Sequence, residues 1–199
     1  MDQAMDQTVN QAARAMFRRC PGCASTHIGF ERNRVFRCPD CGFTYYHNTA
    51  AATACVINTR RGILFQVRNK DPGRGKLDLP GGFVDPGEGA FEGLRRELLE
   101  ELGSSPTLRR LLALDGGAPE PRLFASFPNT YPYKNMVYNT CDLFFCIDAP
   151  DLTEADLHPE AAEISAVRFI KLRDLDMEEV AFDSVKKALR TEAVAKLLF

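Results

Sequence analysis

The spacing of apolar and polar positions changes period several times along the chain, and each change marks an element. Residues 50–57 form an apolar run, and residues 63–68 alternate, with Ile63, Phe65 and Val67 set against Leu64, Gln66 and Arg68. The turn residues at 58–62 between them predict an antiparallel pair. Over residues 90–102 the period lengthens: Phe91, Leu94, Leu98 and Leu102 recur at steps of three and four. That spacing predicts a helix with one apolar stripe, stopped by Gly103. Residues 123–127, 136–147 and 166–171 read as strands. A closing helix over 184–198 carries Val185, Leu189, Ala193 and Leu197 on one face. Strands and helices mixed in this order give an α+β class, with no internal repeat and no low-complexity tract. Residues 1–17 are polar and Gln-rich without a sustained apolar face, which fits a flexible tail or a short solvated helix.

Composition narrows the function classes. A chain of 199 residues that is 45% hydrophobic and 26% charged has globular proportions and room for one full domain with a small appendage. Lys+Arg 25 against Asp+Glu 27 leaves a net charge of −2, which gives no support to nucleic acid as the main partner. The charge is uneven, since residues 1–47 hold six Lys/Arg and four Asp/Glu. The longest apolar stretch, 50–57, is far shorter than the ~20 residues that span a bilayer. Residues 1–17 lack an apolar signal core, so no membrane association is expected and the expected location is cytoplasmic.

Seven cysteines without a secretory signal argue for thiols or metal ligands rather than a disulfide framework. Cys20-Pro-Gly-Cys23 and Cys38-Pro-Asp-Cys41 form two Cys-x2-Cys pairs fourteen residues apart. Each pair makes a knuckle that aims two sulfurs at one point, and four soft thiolates in tetrahedral array select Zn²⁺. A closed four-cysteine shell leaves no open coordination position, so a structural zinc ribbon over residues 18–48 is expected. Arg18, Arg19, Arg32, Arg34 and Arg37 surround it, and solvated arginines explain them more simply than a phosphate backbone does. Cys55, Cys141 and Cys146 lie in apolar strand-like text and are expected to be buried.

The chemistry concentrates in Gly82-Phe-Val-Asp-Pro-Gly-Glu88 and the helix after it, through Arg96-Glu97-Leu98-Leu-Glu100-Glu101-Leu-Gly103. Glu97 and Glu101 are one turn apart on one helix face with Glu100 beside them. Three carboxylates next to a glycine-rich turn repel one another, and divalent cations among them offset that cost. The spacing resembles the Nudix box, G-x5-E-x7-R-E-U-x-E-E-x-G-U with U aliphatic. Gly82, Glu88, Arg96, Glu97, Leu98, Glu100, Glu101 and Gly103 fall in place, and only Ser104 departs.

The resemblance covers about residues 49–199 and implies a Nudix α/β/α sandwich around a mixed sheet. It also implies Mg²⁺-dependent (or Mn²⁺-dependent) hydrolysis of the pyrophosphate of a nucleoside diphosphate linked to another moiety. By motif position Glu97, Glu100 and Glu101 become metal ligands, with the Gly81 carbonyl adding a backbone oxygen. Glu88 and Arg96 take orienting roles. A further carboxylate that acts as base or extra ligand in the family matches Glu163, with Glu160 as the alternative.

A four-cysteine ribbon before such a domain resembles the NADH pyrophosphatase group, which carries S-Q-P-W-P-F-P-x-S after the box. Here Ser126, Pro128, Pro132 and the aromatic Tyr131 are kept, while the Gln, the Trp and the middle Pro are not. The run Gly75-Lys-Leu-Asp-Leu-Pro-Gly-Gly also resembles ADP-ribose pyrophosphatases. A dinucleotide such as NAD(H), or ADP-ribose, is the implied substrate, releasing a mononucleotide, with Ser126, Tyr131 and Tyr133 as candidates for holding the base. Residues 108–121 read as an insertion near the substrate mouth. Relatives are commonly dimers, so a homodimer is expected. The competing reading is a nucleotide- or nucleic-acid-binding regulator on a Nudix fold with a basic ribbon, and it would show eroded metal glutamates.

Overall fold

The computed structural model describes residues 17–31, 34–113, 121–134 and 136–197. The chain divides into two compact units, one running to Thr49 together with Thr130–Asn139, the other Ala50–Asn129 with Thr140–Phe199. The expected tail, apart from Phe17, and Arg32 lie outside the described residues.

In the first unit β1 (Gly29–Glu31), β2 (Val35–Arg37) and β3 (Thr44–Tyr46) form an antiparallel sheet in that order. Cross-strand register stacks Phe30, Phe36 and Tyr45 in one row. Phe36 is fully buried, with the rings of Phe17, Phe30 and Phe43 at centroid distances of 4.8, 5.3 and 5.9 Å. With Cys20, Cys38 and Ile28 these side chains make up the whole core of the unit among the described residues. So small a core needs a covalent or metal staple.

The second unit is built on a six-stranded sheet. β4 (Ala50–Thr59), β5 (Gly62–Arg68), β6 (Leu77–Asp78), β7 (Arg122–Tyr133) and β8 (Met136–Asp148) run in the order β6-β5-β4-β8-β7, and β9 (Ile164–Ile170) pairs β5. β4 and β8 are parallel from Ala50↔Thr140 to Asn58↔Asp148, whereas β5 is antiparallel to its neighbours, so the sheet is mixed. The expected β4–β5 pair holds only at Asn58↔Ile63 and Thr59↔Gly62. Beyond that the strands part, and β6 with its following loop fills the gap. Gln66 and Val67 pair Asp78 and Leu77 on one side. On the other, Cys55 N–H donates to the Pro80 carbonyl at 2.9 Å and Thr53 N–H to the Gly82 carbonyl at 2.8 Å.

Both faces of the central strands are buried, so their side chains divide by parity. Ala54, Val56, Phe65, Phe144 and Cys146 join one core with Val185, Ala188 and Leu189 of α3 (Asp183–Leu189) and Val194 of α4 (Glu192–Leu197). Cys55, Ile57, Leu64, Phe145 and Ile147 join the other with Leu94, Leu98 and Leu102 of α1 (Ala90–Leu102) and Leu108 of α2 (Pro106–Leu111). This is the sandwich, with helices on both faces of a mixed sheet.

Several expectations are corrected. The closing helix breaks into α3 and α4 at Arg190-Thr191. The strand expected over 123–127 runs on through Tyr133: β7 ends the sheet order, and an edge tolerates Pro128 and Pro132 without losing a ladder bond. The start of the expected 108–121 insertion is core, since Ser105 caps α2 and Leu108 and Leu112 are buried, while 114–120 lie outside the described residues. Cys55 and Cys146 are buried, but Cys141, in the first half of β8, is exposed. No described helix is long and apolar enough to cross a membrane.

Leu98, fully buried beneath α1, ties the helix to the sheet. Leu98→Ala is expected to lower stability by about 2–5 kcal/mol, as lost transfer energy plus a cavity, with a matching fall in Tm by calorimetry.

Candidate active site

α1 begins without a side-chain cap at Gly89 and ends at Gly103, whose N–H donates to the Leu99 carbonyl at 3.0 Å. Its C-terminal half carries the carboxylates. The incoming segment 157–164 is stitched to the end of α1: His158 N–H donates to the Leu102 carbonyl at 2.8 Å and Glu160 N–H to the Glu101 carbonyl at 3.1 Å. The loop after β6 meets the same helix from the other side. Gly81 has φ +143, and a Cβ there would overlap the Thr53 carbonyl of β4. At Gly82 a Cβ would overlap the Glu97 carboxyl carbon. Only hydrogen at position 82 lets that carboxylate lie against the loop backbone.

Arg96 is the hub of the acidic cluster. Its guanidinium grips Glu88 through two bonds of 2.8 and 3.0 Å, and also donates to Glu97 at 2.8 Å, Glu100 at 3.2 Å and the Phe83 carbonyl at 2.9 Å. The forked Arg–carboxylate pair is charge-assisted and directional, and it fixes the loop 83–88 against α1. Arg96 in return holds Glu88 below the usual carboxylate range, helped by the Asp85 N–H. For Glu97 burial wins, raising its pKa despite Arg96, with the charges of Glu100 and Glu163 adding to the rise.

Glu101 is 6% exposed and is gripped at both oxygens: Gln66 Nε2 donates to Oε1 at 3.0 Å and Gly81 N–H to Oε2 at 2.8 Å. Burial pushes its pKa up to about 8 against those two donors, and Asp78 and Glu97 add repulsion. Asp78, below it on β6, is pushed up to about 6 by burial even though Arg68 pairs with it at 2.7 Å. Glu163 sits just before β9, ion-paired to Lys70, with its backbone carbonyl accepting from Asn69 N–H at 2.7 Å. Its charge reaches Glu97, whereas Glu160 contributes only backbone to the cluster among the bonds found.

Glu88, Arg96, Glu97 and Glu100 are thus joined by direct contacts, and Glu101 and Glu163 join them through backbone and charge. Among the described residues no three of these carboxylates have oxygens all within 4.8 Å of one another. Glu88, Glu97 and Glu100 share Arg96, Glu163 pairs with Lys70, and Glu101 is held by two neutral donors. Hard carboxylate oxygens, two of them desolvated, fit Mg²⁺ or Mn²⁺. Ser126 is exposed on β7 in the second unit. Tyr131, half-buried, and Tyr133, exposed, are on the same strand but belong to the unit of the small sheet.

The second cluster is the ribbon's. The Sγ atoms of Cys20, Cys23, Cys38 and Cys41 lie within 4.8 Å of one another, with Cys20···Cys41 at 3.5 Å and Cys23···Cys38 at 3.6 Å. Tetrahedral zinc with Zn–S near ~2.3 Å separates sulfurs by just such distances. The knuckles match each other: Ala24 N–H donates to the Cys20 carbonyl at 2.8 Å and Gly42 N–H to the Cys38 carbonyl at 2.9 Å. His27 Nδ1, 3.0 Å from Asp40 Oδ1, links them. Arg37 is paired with Glu31 at 3.0 Å, and Arg18, Arg19 and Arg34 are exposed.

Sequence reasoning missed Gln66, Arg68, Asp78 and Lys70. Only Gln66 carried a signal, as a lone polar residue in the apolar run Ile63–Val67 on the parity of Leu64.

The chain belongs to the NUDIX family, whose domain model matches residues 47–190. It is 32% identical over 110 residues to an RNA pyrophosphohydrolase of Helicobacter pylori, 54% of this chain and 66% of that one. To an ADP-ribose pyrophosphatase of Methanocaldococcus jannaschii it is 36% identical over 72 residues, 36% of this chain and 43% of the relative. The chain thus spans less than two thirds of the length of these curated relatives. In fold it is similar to a NUDIX hydrolase from Nitrosomonas europaea, with TM-score 0.57 and 21% identity over 87% of this chain and 89% of the other. A bifunctional NMN adenylyltransferase/ADP ribose pyrophosphatase from Francisella tularensis gives TM-score 0.56 and 16% identity over 98% of this chain and 47% of the other.

Two outcomes follow. A carboxyl whose folded pKa is raised stabilises below its ordinary value of 4.5 and loses that contribution as pH rises through about 8. In EDTA the Tm of wild type minus that of Glu101→Gln should therefore fall steadily across that window. For the ribbon, Cys20→Ser should remove zinc by elemental analysis and lower the hydrogen-exchange protection of residues 29–46, leaving that of α1 unchanged.

Proposed function

We propose that this Nudix hydrolase uses Mg²⁺ or Mn²⁺ to cleave the pyrophosphate of a nucleoside diphosphate linked to another moiety, with NAD(H) or ADP-ribose as substrate and a mononucleotide as product. The observation that carries the reading is the Glu97 and Glu101 pair. Both carboxylates are desolvated against the glycine loop, one pressed on Gly82 and one bonded to Gly81. Burying acids this way costs stability, and a cation site is the use that offsets it. The ADP-ribose pyrophosphatase relative supports the substrate class.

In this reading Glu97, Glu100, Glu101 and Glu163 hold the cation, joined by the Gly81 carbonyl. A divalent cation held there would supply charge neutralisation of the pyrophosphate and a more acidic attacking water. The chain's own work is positioning. Arg96 and Glu88 lock the loop to α1, so that substrate phosphates meet a preformed surface. Glu163, beyond the helix and paired with Lys70, is assigned as the base that takes the proton of the water or as the extra ligand. Ser126, in the same unit as the carboxylates, is assigned to the base. The four cysteines bind zinc as a structural group with no step of the reaction.

Purified protein with Mg²⁺ is to be assayed on NADH, NAD⁺, ADP-ribose and a 5′-triphosphorylated RNA, with the released nucleotides identified by chromatography. Expected are mononucleotides from NADH or ADP-ribose, and a kcat lower by orders of magnitude in Glu97→Gln. Turnover of the RNA alone would move the substrate to the class named for the Helicobacter relative, and no turnover of any would overturn the proposal.

A further inference from the structure

We infer that Gln66, outside the glutamate-rich motif, is a positioning residue that presents Glu101 to the divalent cation; the inference rests on the cation site proposed above. Gln66 is central in β5, paired to Asp78 of β6 on one side and Val167 of β9 on the other. By strand parity it shares the α1-facing side with Leu64, which is fully buried against Leu94, Leu98 and Leu102. That position calls for an apolar side chain. An amide is there instead, 3% exposed, and its Oε1 has no hydrogen-bond partner among the described residues. A buried orphan acceptor is unfavourable, so packing does not explain the choice.

The other end of the amide does. Gln66 Nε2 donates to Glu101 Oε1 at 3.0 Å while Gly81 N–H donates to Oε2 at 2.8 Å. Among the described residues Glu101 has no cationic partner: Arg96 serves Glu88, Glu97 and Glu100, and Lys70 serves Glu163. A neutral donor orients the carboxylate without cancelling its charge. Each carboxylate oxygen has two lone pairs, so one donor on each leaves one lone pair on each for a metal. A lysine or arginine at position 66 would hold the same geometry but compete with the cation. The amide therefore fixes the ligand's direction and preserves its charge.

The test is Mn²⁺ binding without substrate, read by electron paramagnetic resonance, on wild type, Gln66→Met, Glu101→Gln and the double variant, with calorimetry in EDTA to confirm folding. Expected are an Mn²⁺ Kd at least tenfold weaker in Gln66→Met, a similar fall in kcat with KM within about twofold, and a Tm within a few degrees of wild type. In the Glu101→Gln background Gln66→Met should change the Kd less than about twofold, because its effect passes through Glu101. A Kd and kcat near wild type in Gln66→Met would overturn the assignment, as would a loss that persists undiminished in the double variant. Should Gln66→Met fail to fold, Gln66→Leu carries the same comparison. If wild type binds no Mn²⁺ and hydrolyses nothing, the cation site itself fails, which is a different result.

Discussion

Carboxylates crowded at one end of a helix repel, and the architecture around α1 is an answer to that constraint. Arg96 supplies one cation to three glutamates and Lys70 supplies one to Glu163. Glu101 receives none and is held by two neutral N–H donors while buried. The elements follow from this arrangement. β4 and β5 part to admit the glycine loop, the loop needs glycine at 81 because the Thr53 backbone presses on it, Glu97 packs its carboxylate on Gly82, and the segment before β9 closes over the end of α1. The parted strands thus position the carboxylates as much as they build the core.

The same logic sets the balance between stability and activity. Asp78, Glu97 and Glu101 all have pKa values raised by burial, so the unliganded site loses stability as pH rises. Arg96 with Glu88 works in the opposite sense, since a carboxyl held low favours the folded state at neutral pH. The ribbon solves a different problem. Its core is a handful of side chains around Phe36, too few to stand alone, and its four convergent sulfurs have the arrangement that could hold a metal staple.

Much of this was legible in the sequence because spacing maps directly onto geometry in a helix and in a pair of cysteine knuckles. The α1 bounds and the sulfur cluster needed only local spacing, and the orienting roles of Glu88 and Arg96 came from the motif resemblance. What periodicity could not reach were contacts set by tertiary approach. The divergence of β4 from β5 depends on a loop inserted from residues 80–84, and Gln66 meets Glu101 across 35 positions. The extension of β7 past Phe127 through Pro128 and Pro132 escaped because sequence does not show which strand is an edge. The break at Arg190 escaped because apolar spacing runs on through it.

The central claim is that the carboxylates of α1 and the glycine loop form one divalent-cation site. A crystal soaked in Mn²⁺ and measured at the manganese absorption edge tests it most directly. The account predicts an anomalous peak bonded to Glu97 and Glu101, with the glycine-loop backbone beside it. A peak absent from α1, with manganese bound only at unrelated surface acids, would contradict it.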